Sequence, residues 1–180
     1  MKGKLLTIFG YFQKILLDCI VGHIPCWALR KPLYRLAGIK IGKGSRILMG
    51  AKIQGPHGIS IGEHSYINSG CHLDGRGGLL IGDNVNISNY TVIVTASHDM
   101  KSSSFQYREG KVVIEDYCWI GTRAIVLDRS TLAEGSVLSA GSVYKGQGKP
   151  RGVYAGVPAQ YVRDRGLEGK YDVDWRPYFI

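Results

Sequence analysis

The chain has 180 residues, enough for one well-formed core and a short appendage. Hydrophobic residues make up 44% and charged residues 21%, which excludes a disordered chain or an all-apolar membrane protein. The net charge of +9 suits a phosphate-bearing cofactor, an anionic membrane surface or simply a solvated basic face. Scattered cations and no nucleic-acid motif argue against DNA or RNA.

The N-terminal stretch MKGKLLTIFGYFQKILLDCIVGHIP starts like a secretory leader, with lysines ahead of apolar residues. Gln13, Lys14 and Asp18 interrupt it and no small-x-small cleavage site follows, so a leader is not expected. It is also too short and broken for a membrane span. A helix is expected over 4–21, and a second short one over WALRKPLYRLAG after Pro25. Residues 1–37 then form a helical cap, for which two readings stand. They cover the end of the domain that begins at residue 38 or pack on a neighbouring subunit, or they touch a membrane, with Lys2, Lys4, Arg30, Lys31 and Arg35 on anionic lipid.

A repeat begins at residue 38. Ile41, Ile47 and Ile53 are spaced by six, as are Ile61, Ile67 and Leu73, and Ile81, Ile87 and Ile93. The spacing resumes at Ile114, Ile120, Val126, Leu132 and Leu138. Four positions after nearly every one of these aliphatics comes a small or β-branched residue: Ser45, Ala51, Ser65, Cys71, Val85, Thr91, Ser97, Cys118, Ala124, Ser130, Ser136 and Ser142. Neither a 3.6-residue nor a two-residue period produces that register. It implies an all-β solenoid with three sides, one short strand and one turn per hexapeptide, aliphatics inside and small residues where the turn is crowded. Gly42, Gly62, Gly82 and Gly121 are expected at turns of unusual backbone angle, and GPHG (55–58) and GRGG (75–78) as two-residue insertions.

The register stops after VTASHD and does not resume until Ile114, so residues 99–113 are expected as a loop thrown out from the coil. His98 stands at its base, at the last position of a hexapeptide and pointing outward. Histidine is the side chain best suited to act as a base near neutral pH. His64 and His72 are expected as surface residues. Cys19, Cys26, Cys71 and Cys118 show neither zinc spacing nor a disulfide framework, so no metal is expected and a reducing cytoplasm is.

These motifs resemble the hexapeptide-repeat acyltransferases over roughly residues 38–165. That resemblance implies a left-handed parallel β-helix, an acetyl-CoA donor and a homotrimer with sites between neighbouring coils. VTASHD resembles the segment in which sugar O-acetyltransferases carry their catalytic histidine, which implies His98 as general base. Asp99 stands where maltose, galactoside and nodulation acetyltransferases usually have proline. It either orients His98 or caps the loop, and the cap is preferred. YINSGCHLDG resembles the family's acceptor segment and implies Asn68 and Asp74 near the sugar. An inward asparagine ladder or a turn is the competing reading of Asn68.

VVIEDYCWIGTRAIVL and LAEGSVLSAGSVYKG resemble the coenzyme-binding coils. They imply Trp119 flanking the pantetheine arm, backbone at Gly121, Thr122, Ala140, Gly141 and Ser142 beneath it, and Lys145 and Arg163 on the phosphates. GVPAQYVRD resembles the closing motif, with Gln160 in place of a basic residue, and Glu115 replaces an expected glycine. The segment HIPCWALRKPLYRLAGIKIG resembles the lead-in of capsule and lipopolysaccharide O-acetyltransferases. The expected activity is therefore O-acetylation of a capsular, exopolysaccharide or lipopolysaccharide sugar, in the cytoplasm or at the inner face of the membrane. A streptogramin- or chloramphenicol-type drug acetyltransferase and a non-catalytic scaffold are the alternatives. A γ-type carbonic anhydrase is disfavoured because no histidine follows His98. Residues 166–180 are expected to pack as a tail.

Overall fold

The computed structural model describes residues 2–167, Tyr171 and Val173, with side chains from Gly10 onward. Two helices, α1 (Lys2–Cys19) and α2 (Trp27–Leu36), precede a left-handed parallel β-helix of three faces. The first face stacks Lys40–Ile41, Ile59–Ile61, Leu79–Ile81, Val112–Ile114 and Thr131–Leu132. The second stacks Arg46–Ile47, Tyr66–Ile67, Asn86–Ile87, Trp119–Ile120, Val137–Leu138 and Gly152–Gly156, and ends on the antiparallel strand Ala159–Asp164. The third stacks Lys52–Gln54, His72–Asp74, Val92–Ile93, Ile125–Val126 and Val143–Tyr144.

The hexapeptide aliphatics align into interior columns. Ile41, Ile61, Ile81, Ile114 and Leu132 form one. Ile47, Ile67, Ile87, Ile120 and Leu138 form the second, and Ile53, Leu73, Ile93, Val126 and Tyr144 the third. All are buried, and each such side chain contributes about 1.5–3 kcal/mol of burial. The small residues do more than avoid crowding. Ser65 Oγ donates to Gly82 O (2.7 Å) and accepts from the N–H of Val85 (2.9 Å), so it ties two coils from inside the turn.

Four expectations change. Gly42, Gly62, Gly82 and Gly121 are required by close approach rather than backbone angle, because an added Cβ would collide with the turn stacked on each. The left-handed angles fall two residues later, at Gly44, His64, Asn84 and Arg123. Val112 and Val113 belong to a strand of the first face, where they pair with Leu79 and Leu80, so the excursion is shorter than residues 99–113. Ser97 does not fill an inward turn position; Thr95 is the buried residue there. Ser97 and His98 instead lie in the strand Ala96–His98, antiparallel to Tyr107–Glu109. Finally, His64 and His72 are half-buried rather than fully exposed. Glu115 also acquires a role, since its Oε2 accepts the N–H of Glu134 (2.9 Å).

The first coil has an open edge that must be satisfied. The cap supplies the partners. Asp18 Oδ1 accepts the N–H of Ile53 (2.8 Å), and Gly22 O accepts that of Gly50 (2.9 Å). Arg30, fully buried, donates from Nη2 to Ile47 O (2.9 Å), Lys31 Nζ donates to Gly42 O (3.2 Å), and Arg35 donates to Ile41 O. Three of the cations read as lipid contacts therefore reach coil carbonyls, and of these Arg30 is buried away from any surface. Lys2 and Lys4 side chains lie outside the described residues. The described residues of the C-terminal segment lie along the side of the middle coils, where Tyr171 Oη donates to Tyr117 O (2.7 Å) and the N–H of Val173 to Asn84 Oδ1 (3.4 Å). The remaining tail residues lie outside the described ones. Among the described residues, no helix is long and apolar enough to cross a membrane.

The turn at 74–78 grips the neck of the excursion. Asp74, 1% exposed, accepts the N–H of Thr95 (3.0 Å) and of Arg76 (3.0 Å) and a two-bond fork from Arg76 Nε and Nη2 (2.9 Å each). Thr95 Oγ1 accepts the N–H of Gly77 (2.9 Å), and Thr95 O that of Gly110 (2.8 Å). Burial alone would raise the Asp74 carboxyl, but the fork and the two N–H groups outweigh it and hold it below its usual value.

Both sets of contacts can be tested by unfolding. Asp18→Ala leaves the Ile53 N–H without its acceptor and should cost about 1–3 kcal/mol in denaturant unfolding. Because the folded Asp74 titrates below the unfolded value of 3.8, its stabilisation is complete above that pH and is lost as pH falls through the folded value. Asp74→Asn should therefore be about 1.5–3 kcal/mol less stable at neutral pH, and thermal melts should show the gap closing in acid.

Candidate functional site

The hairpin of Ala96–His98 and Tyr107–Glu109 leaves the corner between the third and first faces. Its register sets His98 directly opposite Tyr107. The imidazole is exposed, stacks on Phe105 (3.9 Å between centroids, 11° between planes) and meets the Tyr107 ring in a T-shaped arrangement with centroids 5.7 Å apart. Its Nδ1 lies 2.8 Å from Phe105 O. A carbonyl can only accept, so Nδ1 carries a proton, and in the neutral ring the lone pair is then on Nε2. That is the form a general base needs.

Asp99 does not face His98. Its Oδ1 accepts the N–H of Lys101 (3.0 Å), Oδ2 takes the Arg108 guanidinium, and its backbone N–H donates to Gln106 O (2.8 Å). These contacts hold the hairpin closed, in the manner of a cap.

A groove of about 540 Å³ runs along the corner between the second and third faces. Trp119, Gly121, Thr122, Ala140 and Arg163 line it, together with Ser88, Ser139 and Arg165. Trp119 Nε1 donates to Ser88 Oγ (3.1 Å), which fixes the half-exposed indole along the wall. An added Cβ at Gly121 would strike the backbone of Ser139 and Ala140, so the coils approach closely beneath the groove. The lining arginines, of which Arg165 also donates to Tyr117 O (2.8 Å) and Gly135 O (3.1 Å), and the small residues along the floor suit an extended ligand with a phosphate terminus.

The remaining sequence-derived residues divide between these two corners. Gly141 sits in the groove turn, while Ser142 is buried with its Oγ accepting the N–H of Gly156 (3.1 Å). Asn68 is on the groove corner, but its Nδ2 donates to Asn86 Oδ1 (3.0 Å) and Ile87 O (2.8 Å), which matches the ladder reading. Asp74 is on the His98 corner and turned inward to Arg76 and Thr95. Lys145 does not line the groove. It pairs with Asp128 (3.0 Å), whose other oxygen lies 3.3 Å from Ser97 Oγ beside the hairpin. Sequence reasoning missed Phe105, Tyr107, Arg76, Ser88 and Arg165. Phe105 and Tyr107 were visible only as aromatics inside a polar excursion. Among the described residues no cluster could hold a metal ion.

No family model matches the chain. It is 33% identical over 161 residues to WcaF of Escherichia coli (strain K12), a protein named for acetylation in colanic acid biosynthesis, covering 88% of this chain and 82% of that one. The Shigella flexneri protein of the same name matches equally. Among solved structures, the hexapeptide-repeat acetyltransferase VCA0836 of Vibrio cholerae superposes with a TM-score of 0.80 at 26% identity, over 93% of this chain and 94% of that one. Its complex with acetyl coenzyme A superposes at 0.78 with 29% identity, over 84% and 85%. A maltose O-acetyltransferase from Clostridium difficile 630 shares the fold, with a TM-score of 0.77 at 22% identity over 87% and 84%. With the repeat columns continuous through five coils and a relative matched along most of both chains, this protein belongs to the hexapeptide-repeat acetyltransferases.

Proposed function

We propose that the protein transfers an acetyl group from acetyl-CoA to a hydroxyl of a sugar in a surface polysaccharide, with His98 as general base, and that it works as a homotrimer. The observation that carries this reading is the Nδ1 contact of His98 with Phe105 O, which leaves Nε2 as the proton acceptor. Nε2 takes the proton of the sugar hydroxyl as its oxygen attacks the thioester carbonyl. The C–S bond then breaks, and the imidazolium returns the proton to the departing thiolate. The products are an O-acetyl sugar and free coenzyme A.

The groove suits the donor. Pantetheine lies along Trp119 and the backbone of Gly121, Thr122, Ala140 and Gly141, with Arg163 and Arg165 toward the phosphates. WcaF supports a polysaccharide acceptor, and the acetyl coenzyme A bound to VCA0836 supports the donor.

The trimer is supported by where the two halves of the site lie. His98, Asp74, Asp99 and Lys145 occupy the corner between the third and first faces; the groove occupies the next corner. Three copies packed around one axis bring the His98 corner of one against the groove of its neighbour. Lys145, on the His98 corner, then reaches coenzyme phosphates across the interface, and Asn68, its amide donating into the ladder, lies on the groove side near the acceptor. The exposed apolar side chains of the cap, Tyr11, Phe12, Ile15, Ile20, Leu29 and Leu36, support a peripheral contact with the membrane at which a lipid-linked acceptor is presented.

His98→Ala should lower kcat by about 10²–10⁴-fold while calorimetry still shows acetyl-CoA binding; a variant that transfers at the normal rate removes His98 from the mechanism. Ala140→Trp should block the groove and abolish donor binding. Mixed and reassembled with His98→Ala, it should recover activity, because some interfaces combine an intact histidine with an intact groove. Failure of the mixture to recover any activity would place both halves of the site in one protomer.

A further inference from the structure

We propose that Arg76 is a positioning residue for His98, acting through the ring of Tyr107. The inference rests on His98 being the base. It concerns how an exposed imidazole on a two-stranded excursion is held in one orientation.

An isolated two-stranded hairpin is marginally stable in water. Several of this hairpin's side-chain contacts stay within it: Arg108 with Asp99, Tyr107 Oη with Glu109 (2.9 Å), and Phe105 stacked on His98. These give the hairpin internal shape but no fixed relation to the coil. Arg76 reaches it from the coil body. Its guanidinium carbon lies 5.9 Å from the Tyr107 ring centroid, within cation–π range. Tyr107 is the cross-strand partner of His98, with its ring edge on the imidazole. The fork between Arg76 and the buried Asp74 carboxylate removes the freedom of the arginine itself. A chain of contacts thus runs from the core through Asp74, Arg76 and Tyr107 to His98.

The same turn anchors both strands where they leave the coil, through Thr95 and Gly110. Neck and platform together leave the imidazole little room to turn. The Nδ1 contact with Phe105 O then persists, and Nε2 points one way. Pure charge balance for Asp74 would not require the guanidinium to lie by an aromatic ring at the far side of a hairpin. A base displaced by about 1 Å can cost about 10²-fold in rate, so such a platform bears on kcat.

The test uses the full-length protein with ¹⁵N-labelled histidine, whose ring nitrogens report the tautomer without any acceptor being known. Wild type should show His98 as the Nδ1–H form. Tyr107→Leu leaves the Arg76 fork on Asp74 intact, so it remains informative even where Arg76→Met fails to fold. Tyr107→Leu and Arg76→Met should each convert the His98 signals to a mixture of tautomers. Each should lower kcat by tenfold or more with KM for acetyl-CoA unchanged, since neither side chain lines the groove. The double variant should lose no more than the worse single one, and Arg76→Lys should recover part of the loss. Wild-type His98 signals in Tyr107→Leu, or additive losses in the double variant, would overturn the proposal. An active His98→Ala would overturn the base assignment alone, leaving the ring spectra to decide whether Arg76 orients the imidazole.

Discussion

Every feature of this protein depends on the stacking of one coil on the next. The hexapeptide aliphatics are buried in three continuous columns, and parallel ladders join each coil to its neighbours on all three faces. Stacking satisfies backbone groups along the axis, so unmet bonds concentrate at the two ends and at any break. The ends are handled with specific chemistry. At the first coil, a carboxylate receives the N–H of Ile53, and three cations reach the carbonyls of Ile41, Gly42 and Ile47. A basic, partly apolar segment that resembles a membrane contact thus also serves as the molecule's lower lid.

Corners are where this architecture can differ from one coil to the next without disturbing the columns. At the groove corner, glycines and alanines let successive turns approach closely, and an extended ligand can lie on their backbone. At the following corner the chain leaves the coil as a hairpin and returns in register, Val112 pairing with Leu79. The return is possible because Asp74 and Thr95 close the neck with hydrogen bonds rather than with side-chain packing. His98 is carried on that hairpin, one corner away from the groove. Neither corner alone holds a base and a donor track, which is the physical reason for proposing an assembly of three as the working unit.

Much of this was legible in the sequence, and for a physical reason. An aliphatic every six residues with a small residue four positions on has few structural meanings, so the columns, the two helices and the location of the break could be read directly. His98 was found because it stands where the period fails. The period carries no information about the excursion itself. Antiparallel pairing of His98 with Tyr107 and the stacking of Phe105 depend on a short-range register that no repeat announces. For the same reason the repeat spacing points Ser97 inward where Thr95 is the buried residue, and it does not show that Lys145 pairs with Asp128 on the corner of the hairpin rather than on that of the groove. Glycines after the aliphatics were recognised as necessary, but the constraint is distance between stacked turns rather than backbone angle.

The central claim is that catalysis joins the His98 corner of one subunit to the groove of the next. A crystal structure of the assembled protein with coenzyme A tests it most directly. The predicted result is a threefold assembly in which the coenzyme sulfur, leaving the end of a groove lined by Trp119 and Ala140, lies within reach of His98 Nε2 from the adjacent subunit. A coenzyme whose sulfur ends against the same subunit's hairpin, or far from any His98, would contradict it.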